Sequence, residues 1–95
     1  MKILLIDDQK TVGLSEVWTL ARLGHHPRLV ASAVEALDSM ESGDWRLVIT
    51  DWMMPDVDGL ELCRRIRARQ RRPYTYIIIL TCRTGRENRL DLNQA

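Results

Sequence analysis

Asp51 stands in the stretch ITDWMMPDVDG, residues 49–59, directly behind the apolar run Leu47, Val48 and Ile49. Such a run predicts a strand buried in a parallel sheet, and an acid at its end lands on the carboxyl edge, where open α/β folds bind ligands. The pair Asp7-Asp8 closes the apolar run Ile3 to Ile6 in the same way. With the two strands adjacent, three carboxylates converge at one edge. Two unit charges about 4 Å apart repel by roughly 4 kcal/mol at an effective dielectric near 20, so this trio calls for a cation or for protonation. Hard oxygen ligands, with no histidine or cysteine at these positions, match magnesium better than zinc and leave room for water and phosphate oxygens. The same metal would neutralise an incoming phosphoryl group.

The elements that must hold these acids follow from periodicity and punctuation. Leu14, Val17, Trp18 and Ala21 recur at helical spacing after the first strand, and Gly24 supplies a C-terminal stop. Arg28 to Ala31 predicts a second strand. Ser32 and Glu35 then have the spacing of a capping box ahead of Val34, Leu37 and Met40. Arg46 to Thr50 predicts the third strand, after which Pro55 forbids a simple helical continuation. Asp56 suits the turn after that proline, and Asp58 suits the cap of a helix starting at about Gly59, with Leu62, Cys63 and Ile66 on one face. Tyr76 to Leu80, rich in isoleucine, predicts a strand buried on both faces and ending at Thr81. Thr84 and Glu87 repeat the capping-box spacing before a last helix with Leu90 and Leu92. Four alternations of strand and helix predict a parallel sheet with helices on both faces and right-handed crossovers. Strand one belongs at the centre, because it is wholly apolar and its acids need a neighbouring strand end.

Composition sets the scale. The 95 residues, 45% hydrophobic and 28% charged, suit one domain spanning residues 1–95. No apolar run is long enough to span a bilayer, and MKILLIDD turns acidic too early for a signal peptide, so the expected location is cytoplasmic. Net charge is +1, and of the 14 basic residues only Lys2 and Lys10 are lysines. The arginines from Arg64 to Arg72 spread around a helix without interleaved aromatic residues, which predicts a solvated face and no nucleic-acid binding. Cys63 and Cys82 read as free thiols, His25 and His26 as surface residues, Trp18 as packing, and Trp45 and Trp52 as partly exposed.

Taken together, Asp7-Asp8 after strand one, Asp51 in DWMMPDVDG after strand three and Thr81 after strand four resemble the response-regulator receiver domain of two-component signalling, over the chain from Met1 to its end. The resemblance implies an α/β, flavodoxin-like parallel sheet of order 2-1-3-4. It implies that Asp51 is the phospho-acceptor, taking a phosphoryl group from a histidine kinase. It further implies that Asp8 and Asp51 ligate Mg2+, that Asp7 contributes largely through water, and that the Met53 backbone carbonyl adds an oxygen. Thr81 would hydrogen-bond the phosphoryl group and act as the switch toward an output domain or target protein. On this reading the domain is a substrate and switch, not a turnover enzyme.

Three departures from the family pattern shape the expectations. A fifth strand, ending in a lysine, and a fifth helix have no counterpart before Ala95, and neither Lys2 nor Lys10 takes that lysine's position. Cys82 stands where the family has a smaller residue. Strand four would then be an edge, which supports an alternative role as an interaction or dimerisation module, with a homodimer formed through strand four or by element swapping. An aspartate-nucleophile phosphatase would need a general acid two residues after Asp51, and Met53 cannot transfer protons.

Overall fold

Each apolar run becomes a strand. The computed structural model describes residues 1–52, 56–69 and 74–80. Within them β1 (Lys2–Ile6), β2 (His26–Val30), β3 (Leu47–Asp51) and β4 (Tyr76–Leu80) form one parallel sheet of order β2-β1-β3-β4. The central place of β1 accounts for its continuous hydrophobicity, since Ile3, Leu4, Leu5 and Ile6 are all buried. Two boundaries differ from expectation. β2 starts at His26, not Arg28, so Pro27 lies inside a strand opposite Ile3. The strand is at the edge of the sheet, where a missing N–H is tolerated. β3 runs one residue later than expected, so Asp51 is itself paired, opposite Leu80, and the Trp52 amide still donates to the Leu80 carbonyl at 2.9 Å.

The helices divide between the two faces. α2 (Ala33–Glu41) and α3 (Gly59–Arg69) cover one of them. Their starts are as the sequence implies: the Glu35 amide donates to Ser32 Oγ at 3.2 Å, and the Glu61 amide donates to Asp58 Oδ1 at 2.8 Å. Leu4, Ile6, Val30 and Val48 of the sheet join Ala33, Ala36 and Leu37 of α2, Leu62 and Ile66 of α3, and Trp45 in the core. The buried face of α2 is turned by one residue from expectation, with Val34 outward and Ala33 and Ala36 inward. Trp45, expected to be partly exposed, is buried, and its Nε1 donates to the Ser39 carbonyl at 2.9 Å.

α1 (Lys10–Arg22) packs on β1 and β2 across the opposite face. It ends before Gly24, whose φ of +91° is the left-handed conformation anticipated for a stop residue. Its orientation was not anticipated. The stripe of Leu14, Trp18 and Ala21 faces outward, with Trp18 65% exposed, while Gly13 is buried and Glu16, Val17 and Leu20 are half-buried. β4 also departs from expectation: Ile78 is 46% exposed and Tyr76 more so. Among the described residues β4 is the outer strand, and α1 lies over the far side of the sheet, so its α1-side face has little cover. The expected last helix around Leu90 and Leu92, and Cys82, lie outside the described residues. Among those described, no helix is long and apolar enough to cross a membrane.

Candidate functional site

β1 neighbours β2 on one side and β3 on the other, so the connections leaving β1 and β3 diverge and open a crevice at the carboxyl ends of these strands. Asp7 and Asp8 leave β1 there, and Asp51 closes β3. Carboxylate oxygens of the three lie within 4.8 Å of one another. Asp7 and Asp51 are buried and Asp8 is exposed, so the cluster has a dry floor and one side open to solvent. Asp7 is held by its own loop: its Oδ1 accepts from the Gln9 amide at 2.8 Å, and its amide donates to the Val30 carbonyl at 3.1 Å. Beneath Asp51, the fully buried Thr50 donates through Oγ1 to the Asp51 carbonyl at 3.0 Å.

Gly59 fixes how closely α3 approaches this edge. Its amide donates to the Trp52 carbonyl at 2.6 Å, and a Cβ at this position would lie 2.9 Å from the Asp51 carbonyl oxygen and 3.2 Å from Trp52 Cα. Only a residue without a side chain permits that approach.

Two acids that sequence reasoning left out of the site bear on it. Asp56 accepts from the amides of Ala33 at 3.3 Å, Val34 at 3.1 Å and Val57 at 3.0 Å, and so ties the segment after β3 to the start of α2. Its slight burial works against the charged form, but these amides outweigh that and hold its carboxyl below the usual value. The reading of Asp56 as a turn residue captured Val57 alone, because its other partners lie more than twenty positions earlier. Glu16 is half-buried on the inward stripe of α1, and burial followed by the charges of Asp7 and Asp51 pushes its carboxyl up. Its spacing of three from Gly13 was the available signal, masked because glycine carries no hydropathy of its own.

The remaining candidates divide simply. Met53 and Thr81 lie outside the described residues. His25 Nδ1 is 3.5 Å from the Met1 amino group, and neither His25 nor His26 joins a group of potential metal ligands among the described residues. Cys63 is a free thiol, as expected. The donor set at Asp7, Asp8 and Asp51 is all hard carboxylate oxygen, two of the three groups shielded from water, which fits a small hard divalent cation such as Mg2+.

Fold and cluster together define a class: a doubly wound parallel α/β domain with an acidic crevice at its switch point. Residues 3–95 match the response regulator receiver domain, and the chain belongs to that family, whose role is phospho-accepting signalling and not classical enzymatic turnover. It is 40% identical over 88 residues to a chemotaxis protein CheY homolog of Campylobacter jejuni, covering 90% of this chain and 68% of that protein. It is 38% identical over 88 residues to the chemotaxis protein CheY1 of Helicobacter pylori, covering 90% and 71%. Among solved structures, the chemotaxis response regulator CheY4 of Vibrio cholerae superposes with a TM-score of 0.81 at 26% identity, over 98% of this chain and 78% of that one.

Proposed function

We propose that Asp51 accepts a phosphoryl group from a phosphohistidine of a histidine kinase in the cytoplasm, at a Mg2+ site formed by Asp7, Asp8, Asp51 and the backbone carbonyl of Met53. The observation that supports this best is the convergence of the three carboxylates within 4.8 Å at the carboxyl edge between β1 and β3. A carboxylate is already deprotonated at neutral pH and needs no general base to act as nucleophile. One Asp51 oxygen forms a bond to phosphorus as the phosphorus–nitrogen bond of the phosphohistidine breaks. The bonding electron pair returns to the imidazole, which takes a proton from water. Mg2+, when bound, supplies charge neutralisation for the phosphoryl oxygens.

This chain's own residues do the positioning. The β3 ladder and Thr50 hold the Asp51 backbone, and the Gln9 amide orients Asp7. Asp8, exposed, stands on the solvent side of the cluster. Thr81, directly after β4, hydrogen-bonds the phosphoryl group in this reading and carries the change to a downstream target. Phosphorylation adds about −1.5 to −2 charges to a crevice already rich in carboxylates, which gives the surface around it a reason to rearrange.

Incubation of the chain with a small-molecule phosphodonor and Mg2+ tests the assignment. Intact-mass spectrometry should show a base-labile increment that is absent in Asp51→Asn and absent without Mg2+. No increment in the native chain overturns the phospho-acceptor reading. That result would favour the second reading, an interaction module working through β4, which is motivated by the exposure of Tyr76 and Ile78 on the outer strand of the described sheet.

A further inference from the structure

The first turn of α2 is capped from two places in the chain. Ser32 Oγ accepts from the Glu35 amide at 3.2 Å, and the Ser32 carbonyl accepts from the Ala36 amide at 3.0 Å. The opening amides of a helix have no partner within it, and those of Ala33 and Val34 donate instead to Asp56, at 3.3 and 3.1 Å. Asp56 Oδ1 also accepts from the Val57 amide at 3.0 Å, so one carboxylate serves both its own segment and α2. Because Asp56 is exposed, these bonds add little to the stability of the fold. What they add is a fixed position.

That position bears on the chain that follows Asp51. The Trp52 amide donates to the Leu80 carbonyl at 2.9 Å, and the Trp52 carbonyl accepts from the Gly59 amide at 2.6 Å. The chain therefore leaves β3 and enters α3 at one point, which closes residues 53–58 at their base. Asp56 ties a point within this loop to α2, an element that takes no part in closing it. Between the anchor at Trp52 and the anchor at Asp56 stand Met53, Met54 and Pro55. A segment this short, with a proline in it, has few conformations left once both ends are held. Met53 is the residue whose carbonyl completes the proposed cation site, and Asp7, Asp8 and Asp51 stand outside the loop.

We propose that Asp56 is a positioning residue for the cation site: by anchoring the segment after Asp51 to the start of α2, it holds the Met53 carbonyl in place for an ion at the three carboxylates. It does not ligate the ion, and it is not among the carboxylates that meet within 4.8 Å. The inference rests on the reading of Asp7, Asp8, Asp51 and the Met53 carbonyl as a Mg2+ site. Mg2+ demands near-ideal octahedral placement of its oxygens, so a ligand on a loosened segment binds it less well than one held in place. Loss of the anchor weakens Mg2+ binding by roughly fivefold, below the ~10–100-fold that follows loss of a group bonded directly to a metal ligand, since Asp56 stands further along the chain. Coupling is reciprocal, so a bound ion also keeps the anchor closed.

Calorimetric titration of the full chain with Mg2+, alongside urea unfolding, tests this with Asp56→Ala, Asp56→Asn and Ser32→Ala. Asp56→Ala should bind Mg2+ roughly fivefold more weakly. Asp56→Asn keeps an acceptor oxygen for the amides of Ala33 and Val57, both of which bond Oδ1, and should recover part of the affinity although it lacks the charge. Ser32→Ala removes a cap of the same helix that does not reach the loop, and should unfold at lower urea concentration with native affinity for Mg2+. In the native chain Mg2+ should slow hydrogen exchange at the Ala33 and Val34 amides. Native affinity in a folded Asp56→Ala overturns the proposal, as does exchange at Ala33 and Val34 that Mg2+ leaves unaltered. An Asp56→Asn as weak as Asp56→Ala also overturns it, by assigning the effect to charge, and so does a Ser32→Ala that binds as weakly, by assigning it to α2 at large. If the native chain takes up no Mg2+, the cation-site reading falls and this inference with it. If the native chain binds, Asp51→Asn weakens the binding and Asp56→Ala does not, only the role of Asp56 falls.

Discussion

The two faces of the sheet are made from the same kinds of residue and are finished differently. Toward α2 and α3, Leu4, Ile6, Val30 and Val48 are all buried beneath Leu37, Leu62 and Ile66. Toward α1, the row that crosses the sheet through Leu29, Leu5, Ile49 and Ile78 goes from a half-buried edge through a buried centre to 46% exposure at β4. The helix ends differ as well. α2 and α3 have side-chain caps in Ser32 and Asp58, whereas Gln9 at the start of α1 makes no side-chain cap bond. The closed face therefore supplies the rigid frame of Asp51, with α3 seated against the end of β3 and α2 tied to the following segment by Asp56. The open face contributes α1, whose start follows Asp7 and Asp8 directly and meets the crevice through the Gln9 amide, bonded to Asp7 Oδ1 at 2.8 Å.

The largest test of this contrast is a matched pair of core deletions. Leu62 is fully buried on the closed face, and Leu62→Ala should cost about 2–5 kcal/mol, a large share of the ~5–15 kcal/mol that holds a domain of this size. Ile78→Ala removes a similar side chain from the open face and should cost less than about 1 kcal/mol, because nearly half of the side chain is already in water. Urea unfolding measures both. Equal losses would mean that the two faces are packed alike.

A second pair uses the close approaches of two glycines. At Gly59 the added methyl meets the Asp51 carbonyl oxygen at 2.9 Å, a backbone atom of β3 that accepts from Thr50 Oγ1, with Ile79 Cγ2 at 3.1 Å. Gly59→Ala should cost about 1–3 kcal/mol and slow phosphoryl uptake at Asp51, since either the end of β3 or the start of α3 must move. At Gly13 the nearest atoms, 2.7 and 2.9 Å away, are the terminal carbons of the half-buried Leu29. That side chain can turn aside, and alanine is favoured over glycine in a helix by roughly 1 kcal/mol, so Gly13→Ala should fall within about 1 kcal/mol of the native chain. A Gly13→Ala loss as large as that of Gly59→Ala would remove the distinction between a rigid and a yielding contact.

What was legible in the sequence follows the same division. The caps at Ser32 and Asp58 are local patterns, three residues from cap to partner, and both form as read. The meeting of Asp7, Asp8 and Asp51 was legible because each acid ends an apolar run, although the strand order that makes the runs neighbours came from family resemblance and not from periodicity. On the open face the signals misled. The spacing of Leu14, Trp18 and Ala21 correctly marked a helix, but a stripe does not say which neighbour covers it, and the true contact side is set by Gly13, which has no side chain to register. The isoleucines of β4 reported β-propensity correctly and burial incorrectly, since burial depends on what lies over the strand. The bonds of Asp56 to Ala33 and Val34 join distant parts of the chain and leave no local trace.

Asp56 also gives the smallest and most specific test, through the dependence of stability on pH. Its carboxylate binds the amides of Ala33, Val34 and Val57, and the exposed setting limits the contribution to about 0.5–1 kcal/mol, the range of an ordinary helix cap after solvent screening. Because its folded value lies below the ordinary 3.8, the stabilisation is complete above 3.8 and is lost as pH falls through the folded value. Asp56→Ala should therefore be less stable than the native chain by a constant amount at neutral pH, with the gap closing in acid. Glu16, on the open face, must run the other way. Its raised carboxyl contributes stability that is complete below its ordinary 4.5 and is lost as pH rises through the folded value, so Glu16→Gln gains on the native chain with rising pH. Urea midpoints measured from acid to neutral pH for the two variants should thus diverge from the native chain in opposite directions. Parallel curves would show that the carboxylate tied into the closed face and the one lodged beneath α1 do not differ in the way their surroundings require.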